Sequence, residues 1–238
     1  MKKYNIIIPA AGSARRLRPL TDSLPKSLLK IKNKSIIEYQ LKNLPLEYIK
    51  KIIIILGFNG DKIKNHIDSL DLNCPIKYYY NKNYINTNCA YSLLRAKKEM
   101  LEGFIILNCD LLFKKDNILK LLKSNYPNAI NVRKNDTQIT DLQDVVIDNG
   151  KIINWSLELI DANAEVMGPL KLSSDEARKV INYFDSLSKI KKAKIHCFSL
   201  FSKLVDIINY YPIYIDDKNW IEIDTIEDLE KAKLIWKK

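Results

Sequence analysis

The chain is expected to fold as a three-layer, doubly wound α/β domain with a mostly parallel sheet, and three features of the sequence lead there. Four short apolar runs, Asn5 to Ile8, Ile52 to Leu56, Ile76 to Tyr80 and Phe104 to Asn108, have the length and texture of buried strands. Amphipathic stretches long enough for helices separate them, and that alternation places helices on both faces of a parallel sheet. Right-handed crossovers complete the doubly wound arrangement.

The elements follow in order. The first strand, Asn5 to Ile8, leads into a loop bearing Gly12, Pro19 and Pro25. A helix starts after Ser35, with Glu38 three residues on as a capping box, and stops before Pro45. The second strand, Ile52 to Leu56, ends in a turn from Gly57 to Gly60, followed by a helix from about Asp61 to Leu70. After the third strand, Ile76 to Tyr80, come a helix over Ala90 to Leu101, the fourth strand, and a helix near Asp116 to Leu122. Beyond Asn128 the segments shorten and become extended: Ala129–Val132, Asp144–Ile147, Lys151–Trp155 and Glu165–Leu172, with a hairpin signal at Asp148-Asn149-Gly150. Helices are expected over Ser174–Ser186 and Phe198–Asn209, strands over Ile213–Ile215 and Ile221–Ile223, and a closing helix over Ile226–Trp236. No linker rich in Gly, Pro or Ser divides the chain. All 238 residues are therefore read as one domain: a core over about 1–127, a small α+β portion over about 128–215, and a closing strand and helix over about 216–238.

Composition excludes several classes. Hydrophobic residues at 47% with 28% charged residues describe an ordinary globular chain. No apolar run approaches the ~18–20 residues of a membrane span. The start, MKKYNIII, has too short an apolar core before Pro9 for a signal peptide, so a cytoplasmic location is expected. Cys74, Cys89, Cys109 and Cys197 have no ligand spacing and read as separate thiols in a reducing compartment. His66 and His196 read as ordinary surface or core histidines. The net charge of +11 raises the question of nucleic acid, but the lysines are scattered and only six of the 39 basic residues are arginine. Three of those six, Arg15, Arg16 and Arg18, crowd into one loop. Neither a nucleic acid nor a membrane is expected as a partner.

That loop reads AAGSARRLRPLTDSLPK. Small residues directly after a buried strand, Ala10, Ala11, Gly12, Ser13 and Ala14, let backbone N–H groups approach an anion closely. Arg16 can add a planar fork and Lys26 a mobile point charge. The pattern is neither a Walker A loop nor G-x-G-x-x-G, which disfavours a P-loop ATPase or a dinucleotide enzyme. The loop and Asp110 both fall at the carboxyl edge of the sheet, where ligands bind in such folds.

The loop resembles the signature of the sugar-phosphate nucleotidyltransferase family, A-A-G-x-G-x-R-L-x-P-L-T followed by P-K. It departs once, with Ala14 in place of the second glycine. The resemblance continues in ILNCDLLF, where Cys109 replaces a glycine before Asp110, and closes in NWIEIDTIEDLEKAK, where Asp224 matches a second metal ligand. It implies the family's Rossmann-like fold, with Arg16 and Lys26 as catalytic residues, Asp110 and Asp224 as ligands of Mg²⁺, and Ala10, Ala11, Gly12, Ser13 and Asp110 around the nucleotide.

Two stretches are similar to the phosphocholine-type, CTP-dependent cytidylyltransferases in particular. NKNYINTNCAYSLLRA would set Asn88 and Ser92, four apart, on one helix face toward the nucleotide. AEVMGPLKLSSDEA would line the acceptor side with Glu165 and Lys171, and Trp155 is a further candidate there, since a quaternary ammonium calls for aromatic side chains. Many relatives carry a lysine near Leu157, which this chain lacks.

The implied reaction transfers CMP from CTP to a small phosphorylated or phosphonate acceptor of the phosphocholine, phosphoethanolamine, 2-aminoethylphosphonate or phosphoglutamine type, and releases pyrophosphate. Surface polysaccharide decoration is the implied setting. No side-chain nucleophile is needed, because the acceptor phosphate is already ionised. A sugar-1-phosphate transferase using UTP or dTTP and an inactive nucleotide-binding regulator are the alternatives. The chain would act singly or as a homodimer.

Overall fold

The computed structural model describes residues 3–134, 142–157, 159–216, 218 and 220–236. Asn219, part of the closing motif, lies outside them. The first half contains β1 (Tyr4–Ala10), the short strands β2 (Lys30–Ile31) and β3 (Lys34–Ser35), α1 (Ile36–Asn43), β4 (Ile49–Leu56), α2 (Gly60–Asp68) and β5 (Ile76–Tyr80). Next come α3 (Cys89–Leu93), α4 (Lys97–Met100), β6 (Phe104–Ile106), β7 (Leu111–Phe113) and α5 (Lys115–Lys123). The second half contains β8 (Ala129–Lys134), β9 (Asp144–Asp148), β10 (Lys151–Ser156), β11 (Ala164–Leu172), α6 (Ser174–Ser186), α7 (Lys189–Lys194) and α8 (Cys197–Ser202). It closes with β12 (Tyr211–Tyr214), β13 (Trp220–Glu222) and α9 (Ile226–Ile235).

β1 pairs in parallel with β4 on one side and β6 on the other, and β4 pairs in parallel with β5. The chain therefore winds outward from β1 to β5 and then returns across β1 to place β6. The reversal makes a topological switch point between β1 and β6, and the two connections leaving their carboxyl ends splay apart there. Beyond β6 the sheet turns antiparallel: β11 pairs with β6, β8 and β9, and β9 with β10. The acceptor-side α+β portion expected from the sequence is thus a continuation of the same sheet.

The pleat sends alternate residues to opposite faces, and the packing follows it. Ile7, Ile53, Ile55 and Ile106 pack with α3, α6 and α8, whereas Ile6, Ile8, Ile52 and Ile54 pack with α1, α2 and α5. These are the two outer layers of the three-layer fold. A third cluster joins Leu17 and Ile31 to Leu112, Ile221 and Ile223 and to Leu229 and Ala232 of α9, fastening the long first loop to the end of the chain.

Local signals act as read at several points. The Ser35 hydroxyl accepts from the Glu38 N–H and starts α1. Asn149 and Gly150 both take positive φ, 45° and 73°, as the tight β9–β10 hairpin requires. Two helices differ from expectation. The stretch Ala90 to Leu101 is split into α3, a 3-10 turn over Leu94–Ala96, and α4. Phe198 to Asn209 is helical only to Ser202, and α7 was not anticipated.

Gly168 sits inside β11 at φ 102°, where the β11–β8 register slips between Val166 and Leu170. A Cβ there would lie 2.6 Å from Leu111 Cδ1, the buried residue directly after Asp110. Gly168→Ala is expected to cost about 1–3 kcal/mol through the combined backbone and steric strain, read as a lower urea midpoint. An unchanged midpoint would remove this bulge from the determinants of the fold.

A candidate nucleotide-transfer cleft at the switch point

A cleft of about 540 Å³ opens over the carboxyl ends of β1 and β6, a volume suited to a nucleotide-sized ligand. Ala10, Gly12, Arg16 and Lys26 line it from the first loop, Asp110 from the connection after β6, and Glu222 and Asp224 from β13 and the turn behind it. Asn88 lines it from the start of α3.

Local structure explains each placement. After β1 the chain turns at Ala14, which takes the left-handed conformation (φ 47°, ψ 56°). This is the position at which the family pattern has glycine, and the geometry shows why: a Cβ costs roughly 1–2 kcal/mol there. The carbonyl of Ala14 accepts from the Leu17 N–H at 3.1 Å and the Thr21 hydroxyl at 2.8 Å, which steadies the turn. Leu17 is fully buried, so the turn is pinned while Arg16 projects outward with its side chain 60% exposed. Gly12 faces open space, with nothing within 4 Å of where a Cβ would stand. On the opposite wall, β13 pairs antiparallel with β7, and the Ile223 N–H donates to the Asp110 carbonyl at 3.1 Å. That register carries Asp224 to the side of Asp110.

The charged groups converge. Lys26 Nζ lies 2.8 Å from Asp110 Oδ2 and 2.7 Å from Asp224 Oδ1, and Arg16 Nη2 lies 2.8 Å from Asp224 Oδ2. Burial pushes the Lys26 ammonium down, but the two carboxylates outweigh it and hold its pKa above the ordinary lysine value. Burial likewise raises Asp224, and Lys26 and Arg16 overcome it to leave the carboxyl below its usual range. Glu222, two residues before Asp224, goes the other way: burial, then the nearby Asp110 and Asp224 charges, raise it to about 8. Cys109 is raised to about 12 by burial and the neighbouring Asp110.

Asp110 Oδ1 is buried without a hydrogen-bond partner among the described residues. Two carboxylates facing one cation, with an acceptor oxygen to spare, fit a small hard divalent ion that takes its remaining ligands from water and phosphate. Among the described residues no three acidic, His or Cys side chains form a ready-made metal cage.

Other expected site residues lie elsewhere. Ser92 is buried, and its hydroxyl accepts from Asn81 Nδ2 at 3.0 Å. Ala11 packs against Gly57, its carbonyl accepting from the Phe58 N–H at 3.0 Å, and Ser13 is not among the lining side chains. All three expected acceptor contacts are likewise outside the cleft. Trp155 is a core residue, edge-on to Tyr210 at 5.3 Å. Glu165 is buried against Arg133 at 2.6 Å. Lys171 is fully buried on the far side of the sheet, where Nζ donates to the Leu121 carbonyl and to Ser124 at the end of α5. A buried cation is well placed there, because unsatisfied carbonyls gather at a helix carboxyl end.

In their place Gln143, Leu157, His196, Phe198 and Ser199 form the wall beyond Asp110 and Glu222. Of these, sequence reasoning marks only the Leu157 position, through the lysine many relatives carry there; Glu222, also missed, alternates with Asp224 along an extended segment and so faces the same way.

Comparison with known proteins bears on the fold and the family. A family model described as nucleotidyl transferase matches residues 5–139. The chain belongs to that family. It is 28% identical to the CTP:phosphoglutamine cytidylyltransferase of Campylobacter jejuni over 95% of this chain and 98% of that one. It is 26% identical to the choline-phosphate cytidylyltransferase of Streptococcus pneumoniae over 97% of each. Among solved structures, the inositol-1-phosphate CTP transferase from T. maritima matches with a TM-score of 0.81 at 18% identity, covering 99% of this chain and 96% of that one. The CTP:phosphocholine cytidylyltransferase of Streptococcus pneumoniae matches at 0.76 and 24% identity, covering 99% and 100%. These nucleotidyltransferases share the fold in full, antiparallel portion included.

Two outcomes follow from the geometry. Gly12→Val is expected to leave the ligand-free fold intact, since a Cβ there meets nothing within 4 Å, while occupying space a nucleotide would fill. Equal urea midpoints with nucleotide affinity reduced about tenfold or more are expected, the tenfold corresponding to ~1.4 kcal/mol; undiminished nucleotide binding would show that the ligand does not approach this loop. For Glu222, a folded pKa near 8 against ~4.3 when unfolded means the native state holds the proton longer. Its contribution to stability is complete below the unfolded value and is lost as pH rises through 8. In chelator, Glu222→Gln should therefore gain stability over wild type between pH 5 and 9, and parallel pH profiles would contradict the shift.

Proposed function

We propose that this enzyme transfers CMP from CTP to a small phosphorylated or phosphonate acceptor and releases pyrophosphate. The observation that carries the reading is the convergence of Lys26, Arg16, Asp110 and Asp224 beside a loop open at Gly12. Similarity to two cytidylyltransferases along almost the whole chain supports CTP over other nucleotides.

The chemistry brings two anions together, so catalysis consists mainly of charge neutralisation and positioning. An acceptor oxygen attacks the α-phosphorus in line, and the bond to the bridging oxygen of pyrophosphate breaks. The backbone around Gly12 takes the triphosphate. Arg16, anchored beside the buried Leu17 but itself exposed, reaches the departing pyrophosphate. Lys26 neutralises charge at the α-phosphate. Asp110 and Asp224 would hold Mg²⁺, which would supply positive charge against the reacting phosphates. Burial and the two aspartate charges raise the Glu222 carboxyl to about 8 in the ion-free cleft, which limits the negative charge gathered there.

The acceptor lies against Gln143, Leu157, His196, Phe198 and Ser199 in this reading. Its class is of the phosphocholine, phosphoethanolamine, 2-aminoethylphosphonate or phosphoglutamine type. The product would be an activated CDP compound, a fitting donor for decoration of a surface polysaccharide.

Pyrophosphate release measured with each of four NTPs against a panel of these acceptors and hexose 1-phosphates tests the assignment. Turnover with CTP and one of the small acceptors is expected, and Lys26→Met should lower kcat/KM by about 10²–10³ as a lost electrostatic stabiliser. Turnover with UTP or dTTP and a hexose phosphate, but not with CTP, would replace this reading with a sugar-nucleotide one.

A further inference from the structure

Two thiols in the cleft have no part in the transfer chemistry. Cys89 opens α3, Cys197 opens α8, and His196 precedes it; all three line the cleft. The Cys197 N–H donates to Cys89 Sγ at 3.0 Å, and His196 also hydrogen-bonds that sulfur. By standard bond lengths this contact bounds the separation of the two Cα atoms at roughly 7 Å, the upper edge of what a disulfide spans. Neighbouring backbone already ties the two walls together. The Asn88 N–H donates to the Ala193 carbonyl at 2.8 Å, and Asn88 Nδ2 donates to the Lys194 carbonyl at 3.3 Å.

The pair is asymmetric. Cys89 is half-buried and reachable from the cleft, whereas Cys197 is buried. The hydrogen bond from the Cys197 thiol, followed by those from His196 and the Cys197 backbone, lowers the Cys89 thiol against burial, while burial and the Cys89 charge raise Cys197. Cys89 is thus the attacking sulfur and Cys197 the resolving one. Cys74 and Cys109 differ: burial raises both, and among the described residues neither is hydrogen-bonded to a cysteine, although Cys109 stands near enough to Cys197 to help raise it.

We propose that Cys89 and Cys197 are a peroxide-responsive thiol pair whose closure to a disulfide locks two walls of the transfer cleft together. The Cys89 thiolate attacks one oxygen of hydrogen peroxide, the O–O bond breaks, and hydroxide leaves with a sulfenic acid formed on Cys89. The Cys197 sulfur then attacks Cys89 Sγ, the S–O bond breaks, and the Cys197 proton leaves with that oxygen as water. Two thiols and one peroxide yield one disulfide and two waters, with both electrons supplied by the pair. The bond fixes the start of α8 against α3. Asn88 on one side, and Phe198 and Ser199 on the other, flank the two sulfurs, so closure stiffens both the nucleotide wall and the acceptor wall. The loss of turnover rests on the cytidylyltransferase reading, whereas formation of the bond does not.

The test is to treat the purified full chain with hydrogen peroxide, map disulfides by peptide mass spectrometry without reduction, and follow pyrophosphate release in the same samples. A Cys89–Cys197 peptide should appear before any change at Cys74 or Cys109. Turnover should fall about tenfold or more, as expected for misplaced reacting groups, and return with dithiothreitol. Cys197→Ser should instead accumulate sulfenic and sulfinic acid on Cys89, with loss that dithiothreitol restores only in part. Oxidation confined to Cys74, or no reaction at Cys89, would overturn the pair whatever the enzyme's substrate proves to be. A mapped disulfide with undiminished turnover would overturn the switch. If the reduced protein turns over none of the substrates, the functional reading fails, and the peptide map still decides the pair.

Discussion

The architecture of the cleft depends on one buried ammonium. Lys26 Nζ, with only 11% of its side chain exposed, bridges carboxylates from two other parts of the chain, one of them 198 positions away. Three anionic side chains, Asp110, Glu222 and Asp224, otherwise share a partly dehydrated space. Like charges this close cannot all ionise without compensation, and taking them out of water costs several kcal/mol per ion unless geometry repays it. The structure answers in two ways: it supplies Lys26 and Arg16 against the aspartates, and it leaves Glu222 protonated.

That solution requires the chain to meet itself at one place, and the sheet topology makes it do so. Because the strand order reverses between β1 and β6, the loop carrying Lys26 and the connection carrying Asp110 diverge from adjacent carboxyl ends. The closing segment then returns as β13 against β7, which fixes Asp224 beside Asp110. The cluster of Leu17, Ile31, Leu112, Ile223 and Leu229 packs beneath this junction. Apolar contacts thus hold in place a set of charges that would not assemble unaided.

How much of this was legible depended on the range of the signal. Ser35 and Glu38, the Asn149–Gly150 hairpin and the isoleucine runs carry their information within a few residues, and the structure follows them. The loop, Asp110 and Asp224 were legible as a motif and converge as the resemblance implied. The acceptor wall was not. Glu165 and Lys171 sit in an all-buried strand whose bulge at Gly168 and pairing with three neighbours cannot be read from its own residues, and their charges satisfy Arg133 and the end of α5 instead. Trp155 was read as a ligand for its aromaticity, but edge contact with Tyr210 makes it core. His196, Phe198 and Ser199 line the cleft at the start of α8, after the unanticipated α7, and no Gly or Pro in the sequence marks that turn.

The two cations of the cleft differ in a way that bears on ligand exchange. Arg16 pairs with Asp224 through a largely exposed side chain, and such pairs contribute little because water and salt screen them. Lys26 is enclosed between two carboxylates and cannot leave without stranding them. An arriving triphosphate therefore competes easily for Arg16 and hardly at all for Lys26. A divalent cation between Asp110 and Asp224 would do for those carboxylates what Lys26 does without it. Lys26 and such a cation would therefore compete for the same two carboxylates. The rigid turn at Ala14 and Leu17 keeps Arg16 within reach throughout, since its anchor is buried while its guanidinium stays free to move.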